Sequence, residues 1–185
     1  MKFPKLIVLL FLSTLSFNVN AQGKVKLNCK KIELVYYETE GKIKVSDYAL
    51  VNESGYVTVH LNGNRGLKFY GYQLSDKLIN EINSLFAKSS LKTNLIQTKL
   101  KPGTHYSGSY YYITCDKESL CFIEPFMSKD FNSIFAQIEN TILKQSEKAE
   151  IENPRFNIKE IKKRVIIEHK KSNYLPKIEK PHSMR

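Results

Sequence analysis

The chain has 185 residues, with 29 Lys and Arg against 18 Asp and Glu, 42% hydrophobic and 11% aromatic side chains, 8 Gly, 6 Pro, 3 Cys and no Trp. That balance excludes collagen-like, low-complexity and multi-span membrane classes, and it is too apolar and aromatic for a chain disordered throughout. Composition alone names no activity.

Lys2 and Lys5 precede an apolar run over residues 6–17, followed by polar residues 18–20 and Ala21. This is the pattern of a secretory signal peptide over residues 1–21, and Val19 and Ala21 supply the small side chains a signal peptidase reads. The run is too short to span a bilayer, which takes ~20 residues. Cys29 follows Leu27-Asn28, too far beyond the run for a lipoprotein anchor. The expectation is an exported chain, periplasmic or extracellular, without a transmembrane span: a single globular domain over 22–152 and a Lys-rich extension over 153–185.

Residues 31–38, with Ile32, Leu34 and Tyr36 alternating with Glu33, Val35 and Tyr37, read as a strand closed by Glu40-Gly41. Residues 42–51 read as a second strand, and residues 52–55 as a turn that also matches a glycosylation sequon. Residues 55–61 and 66–73 form the clearest hairpin. An odd loop would place Leu61 opposite Leu67 and Val59 opposite Phe69, leaving Tyr56, His60, Lys68, Tyr70 and Tyr72 together on the other sheet face. A one-residue slip would mix the two sets.

Ser75 can cap a helix with Leu78, Ile82, Leu85 and Phe86 on one side, and Ser128 a longer one with Phe131, Ile134, Phe135, Ile138 and Ile142. Residues 91–100 fit a strand or a loop. Between the helices, residues 110–114 and 122–124 read as a second hairpin. Tight turns between neighbouring strands make antiparallel pairs, and two helices with one apolar stripe each need a sheet to cover. The predicted fold is therefore α+β: a two-layer sandwich, its mostly antiparallel sheet of about 5–7 strands packed by two amphipathic helices, plus a basic C-terminal helix or extension.

Export favours disulfides. An odd hairpin loop would bring Cys115 opposite Cys121, which makes that pair the expected bridge; Cys29 is then left over, or takes one of the other two.

Positive charge concentrates at the C-terminus. Residues 153–185 carry ten Lys or Arg against three Glu, whereas residues 22–152 carry 17 against 15. Residues 157–171 read as a helix, although Val165-Ile166-Ile167 also fits a strand, and residues 172–185 as a mobile tail. Lys159, Lys162, Lys163, Arg164, Lys170 and Lys171 are the candidate anion-binding set, suited to an anionic lipid or polysaccharide surface. Specific nucleic-acid binding is disfavoured: no RNP, helix-turn-helix or finger pattern accompanies the charge, and Lys outnumbers the better phosphate reader Arg 25 to 4.

Chemistry-bearing patterns are sparse. His60, His105, His169 and His182 are too scattered for a metal site, and no cofactor motif occurs. His105 near Ser107 and Ser109 invites a hydrolase reading, but a nucleophile elbow needs Gly-x-Ser-x-Gly between strand and helix. Tyrosine joins apolar area to a polar tip, so the Tyr56, His60, Lys68, Tyr70 and Tyr72 face is the candidate platform for a protein, peptide or glycan. The favoured expectation is a non-enzymatic exported binding or interaction protein. An envelope-associated protein held by its basic segment is the alternative, and a secreted hydrolase comes third.

Overall fold

A computed structural model describes residues 25–39, 41–63, 66–103, 106, 108–144 and 148–176. The expected signal peptide, His105, Ser107, His182 and residues 177–185 of the expected tail lie outside the described residues.

The chain forms the expected α+β sandwich: a seven-stranded antiparallel sheet with helices packed against it. Strands β1 (Lys31–Glu38), β2 (Lys44–Asn52), β3 (Tyr56–Gly63) and β4 (Gly66–Gln73) run as a meander. Helix α1 (Asp76–Lys88) returns the chain to the other edge of β1, where β5 (Tyr110–Cys115) and β6 (Glu118–Phe122) add a hairpin. Helix α2 (Lys129–Leu143) crosses back, and the two-residue β7 (Ala149–Glu150) pairs with β4, giving the order β6-β5-β1-β2-β3-β4-β7. Residues 91–100 supply no strand of the sheet, only a short 3-10 turn and one bridge from Leu95 to Met127.

The predicted caps form. Ser75 Oγ accepts from Leu78 N–H and Ser128 Oγ from Phe131 N–H, satisfying amide groups that a helix start leaves unpaired. The buried Asn94 ties the helices together: its Nδ2 donates to Ser89 Oγ and Ser90 O, both at 2.8 Å, just past α1, and its Oδ1 accepts from Ser128 Oγ at 2.6 Å. The stripes of α1 and α2 lie on the sheet face carrying Ile32, Leu34, Val57, Val59 and Ile113.

The opposite face is covered too. Asn157 caps α3 (Ile158–Lys171), and Ile161, Val165 and His169, recurring at i, i+4 and i+8, are its buried residues. They pack with Val35, Tyr37, Tyr48, Tyr112 and Ile123 in a second apolar layer. The basic extension is thus a third layer on the free face of the sandwich. Residues 172–176 continue on that face instead of leaving as a tail: Ser172 and Leu175 are buried, and Tyr174 Oη donates to the Cys121 carbonyl at 2.6 Å. Among the described residues no helix is long and apolar enough to cross a membrane.

Burying a large apolar side chain contributes about 1.5–3 kcal/mol, and α3 covers several. A chain ending at Glu152 is therefore expected to bind a hydrophobic dye and to lose the near-UV circular dichroism of packed tyrosines. Sharp cooperative unfolding of that shorter chain would show that α3 is dispensable to the core.

Candidate functional site

The two hairpins are shifted from the expected registers, and this redistributes the candidate residues. In the first, Gly63 pairs with Gly66, so Val59 faces Tyr70 and His60 faces Phe69. The offset of one residue is the slip that mixes the two faces. Tyr70 is buried in the α1–α2 core, Tyr72 packs against it with its hydroxyl buried and unpartnered, and Lys68, on the same side, lies 3.8 Å from Glu150. Tyr56 and His60 turn to the other face. The expected five-residue platform therefore does not exist. The observed register is favoured because Tyr70 and Tyr72 complete the core under the helices, while Gly71 opposes Thr58 and leaves room for the Tyr56 ring. A β-carbon at Gly71 would collide with the Tyr56 phenol.

His60 sits in an aromatic group rather than at a surface. Phe69 and Phe156 lie 5.5 and 6.4 Å from its ring centroid, Tyr48 packs edge-on to Phe156, and burial lowers the imidazole pKa against the pull of Asp47. His169 is lowered by burial as well, and its Nδ1 is 2.9 Å from the Tyr37 hydroxyl.

In the second hairpin Cys115 pairs with Glu118 and Cys121 with Tyr112. The turn holds only Asp116 and Lys117, with Asp116 at φ 52°, the left-handed backbone that such tight turns require and Asp tolerates. The offset from the expected register is odd, so Cys115 and Cys121 point to opposite faces and all three cysteines are free thiols. The expected Cys115–Cys121 bridge is ruled out by this geometry. Burial pushes the Cys121 thiol up to about 12, the reverse of what a nucleophilic thiolate needs. Among the described residues no three His, Cys, Asp or Glu side chains converge on a metal-sized site.

The candidate anion-binding residues divide along α3. Arg164 turns inward, where its Nη1 and Nη2 donate to Glu33 Oε2 and Oε1 at 2.5 and 3.3 Å. Lys171 lies 3.8 Å from Glu168, and Lys162 is half-buried. Lys159, Lys163 and Lys170 are exposed, and among the described residues no acidic side chain pairs with them. Lys163 lies one turn beyond Lys159, and Lys170 two turns further on, roughly 6 and 10 Å along the axis.

Sequence reasoning missed Glu33. Its side chain is 6% exposed, and besides Arg164 it accepts from Tyr48 Oη at 2.9 Å and Thr114 Oγ1 at 3.0 Å. The signal was a carboxylate inside the apolar stretch from Ile32 to Tyr37, and an Arg in a chain with only four. A second omission was the end of the sheet below α1. There Asn28, Cys29, Lys31, Asn83, Ser90 and Cys115 help line an open groove of about 910 Å³. A smaller slot of about 170 Å³ lies between β1, β2, β5 and α2, where Tyr111 Oη donates to Glu139 at 3.3 Å and burial raises the carboxyls of Glu139 and Asp47.

Burial alone would raise the Glu33 pKa, but the Arg164 and Tyr48 hydrogen bonds, with the charges of Arg164 and Lys31, outweigh it and bring the carboxyl down to about 2. A pKa lower in the folded than in the unfolded chain stabilises the fold above the unfolded value and loses that contribution as pH falls through the folded one. Urea titrations should therefore show about 3 kcal/mol of stability lost between about pH 5 and pH 2. Glu33→Gln should flatten that dependence, and Arg164→Ala should cost about 3 kcal/mol at neutral pH by stranding a buried carboxylate. No family model, curated protein or solved structure matches the chain, so what it does must be inferred from its own side chains.

Proposed function

We propose that this is an exported binding protein that docks on the anionic surface of the cell envelope through the outer face of α3, and that it recognises its partner without transforming it. The observation that carries the reading is the division of labour on that helix. Ile161, Val165 and His169 are consumed by packing, whereas Lys159, Lys163 and Lys170 project outward along its length.

An interfacial helix that inserts into a bilayer keeps its apolar side for lipid; α3 has already spent that side on the sheet. What it offers is electrostatic contact with clustered phosphate or carboxylate groups, each Lys near such a surface contributing about 1 kcal/mol. Ile167, 45% exposed, lies on this outer side and adds a small apolar contact. The export pattern of the leader, with Lys2 and Lys5 ahead of an apolar run, supports an envelope address.

Removing residues 153–185 would strip the core as well as the charge, so the test is charge reversal within α3. The mature protein should sediment with vesicles containing anionic phospholipid and not with neutral ones, and the binding should weaken steeply between low and physiological salt. Lys159→Glu, Lys163→Glu and Lys170→Glu together should reduce it about 100-fold or more without changing the melting temperature. Binding to an acidic polysaccharide in place of vesicles would identify a glycan surface. Equal binding to neutral vesicles, or no effect of the reversals, would sink the reading.

A further inference from the structure

Two of the three cysteines line the large groove. Cys29 lies just before β1 and Cys115 ends β5, and the two strands pair with Ile32 opposite Cys115. Beyond that pair the two segments stay hydrogen-bonded: Lys30 N–H donates to Asp116 Oδ1 at 2.8 Å, and Asp116 N–H to the Lys31 carbonyl at 3.4 Å. Cys115 packs against the core cluster that contains Cys29, and both residues line the same groove. The neighbouring Cys115 thiol draws the Cys29 pKa below its ordinary value, while Cys29 and burial push that of Cys115 up. On the groove wall Cys115 is half-buried, the more accessible of the two, and Cys29 is 8% exposed.

We propose that Cys29 and Cys115 form a disulfide in the exported protein and that Cys121, 0% exposed between β6 and α3, remains a thiol. The oxidant is an external disulfide, either a small-molecule disulfide or a thiol–disulfide oxidoreductase. One thiolate of the pair attacks a sulfur of the oxidant, forming a mixed disulfide and releasing one thiolate. The second then attacks the protein sulfur of that mixed disulfide, closing the Cys29–Cys115 bond and releasing the other. The two electrons and the two thiol protons leave with the oxidant as two thiols, so the exchange balances.

The bridge would staple the strap ahead of β1 to the far end of β5. Hydrogen bonds already hold that strap, from Leu27 N–H to Glu53 O at 2.9 Å, from Asn28 N–H to Asn83 Oδ1 at 2.8 Å and from Asn83 Nδ2 to Lys26 O at 2.8 Å. The covalent link would close a loop containing β1 to β5 and α1, and long loops gain most from closure. The inference is independent of the anionic-surface reading.

The test starts from reduced, folded mature protein incubated with oxidised glutathione, then alkylated in denaturant and mapped by mass spectrometry. Wild type should yield one alkylated cysteine, Cys121, and a linked peptide pair containing Cys29 and Cys115. Cys121→Ser should form the same link, whereas Cys29→Ser should trap glutathione on Cys115. Reductant should lower the melting temperature of the oxidised wild type and Cys121→Ser by about 5–15 °C and leave Cys29→Ser unchanged. Three alkylatable thiols after oxidation, a lasting glutathione adduct on wild type, or a Cys115–Cys121 linked peptide would overturn the assignment.

Discussion

A carboxylate in a strand covered on both faces is largely withdrawn from water, and Glu33, with its side chain 6% exposed, is such a group. Its charge is tolerable only because Arg164, Tyr48 and Thr114 surround it with donors. Arg164 comes from a helix that begins six strands later, so the pair acts as an alignment pin. A helix lying on an apolar sheet can slide with little change in buried area, but a guanidinium that must reach two specific oxygens cannot. With Arg164 on Glu33, Ile161 and Val165 fall on the tyrosine layer and His169 reaches Tyr37. The outward position of Lys159, Lys163 and Lys170 follows from the same rotation of the helix.

The tyrosines make sense in that frame. A sheet covered on both faces buries side chains that would otherwise be wet, and Tyr supplies apolar area provided its hydroxyl finds a partner. Tyr37 meets His169, Tyr48 meets Glu33, Tyr111 meets Glu139, and Tyr174 meets the Cys121 carbonyl. The aromatic richness is therefore interior architecture, and the outer face of α3 is left to Lys159, Lys163 and Lys170. Because the apolar and basic sides belong to one helix, truncation of the C-terminal segment removes core packing together with charge.

Strands, helices and their caps were legible because each rests on signals a few residues long. Ser75 and Ser128 stand just ahead of their apolar stripes, and Gly and Asn clusters bracket the strands. The face on which a side chain ends was not legible, since a strand alternates every residue and a change of one in hairpin length inverts every assignment. That inversion dispersed Tyr56, His60, Lys68, Tyr70 and Tyr72, and an odd shift in the second hairpin sent Cys121 away from Cys115. Nothing local distinguishes a tight turn at Asp116-Lys117 from a five-residue loop; the choice falls to Leu120 and Phe122, which are buried under the helices only in the tighter arrangement.

By itself, then, the amino-acid order determined which segments are extended, which are helical and where positive charge gathers. All of these are carried by composition and short-range periodicity. Only the tertiary structure decided hairpin register, the placing of Cys29 and Cys115 along one groove, and the use of the basic helix as a third layer, because each depends on contacts between residues up to 132 positions apart. Such contacts are selected by the area and polar satisfaction they bring to the folded core, and no window along the chain contains them.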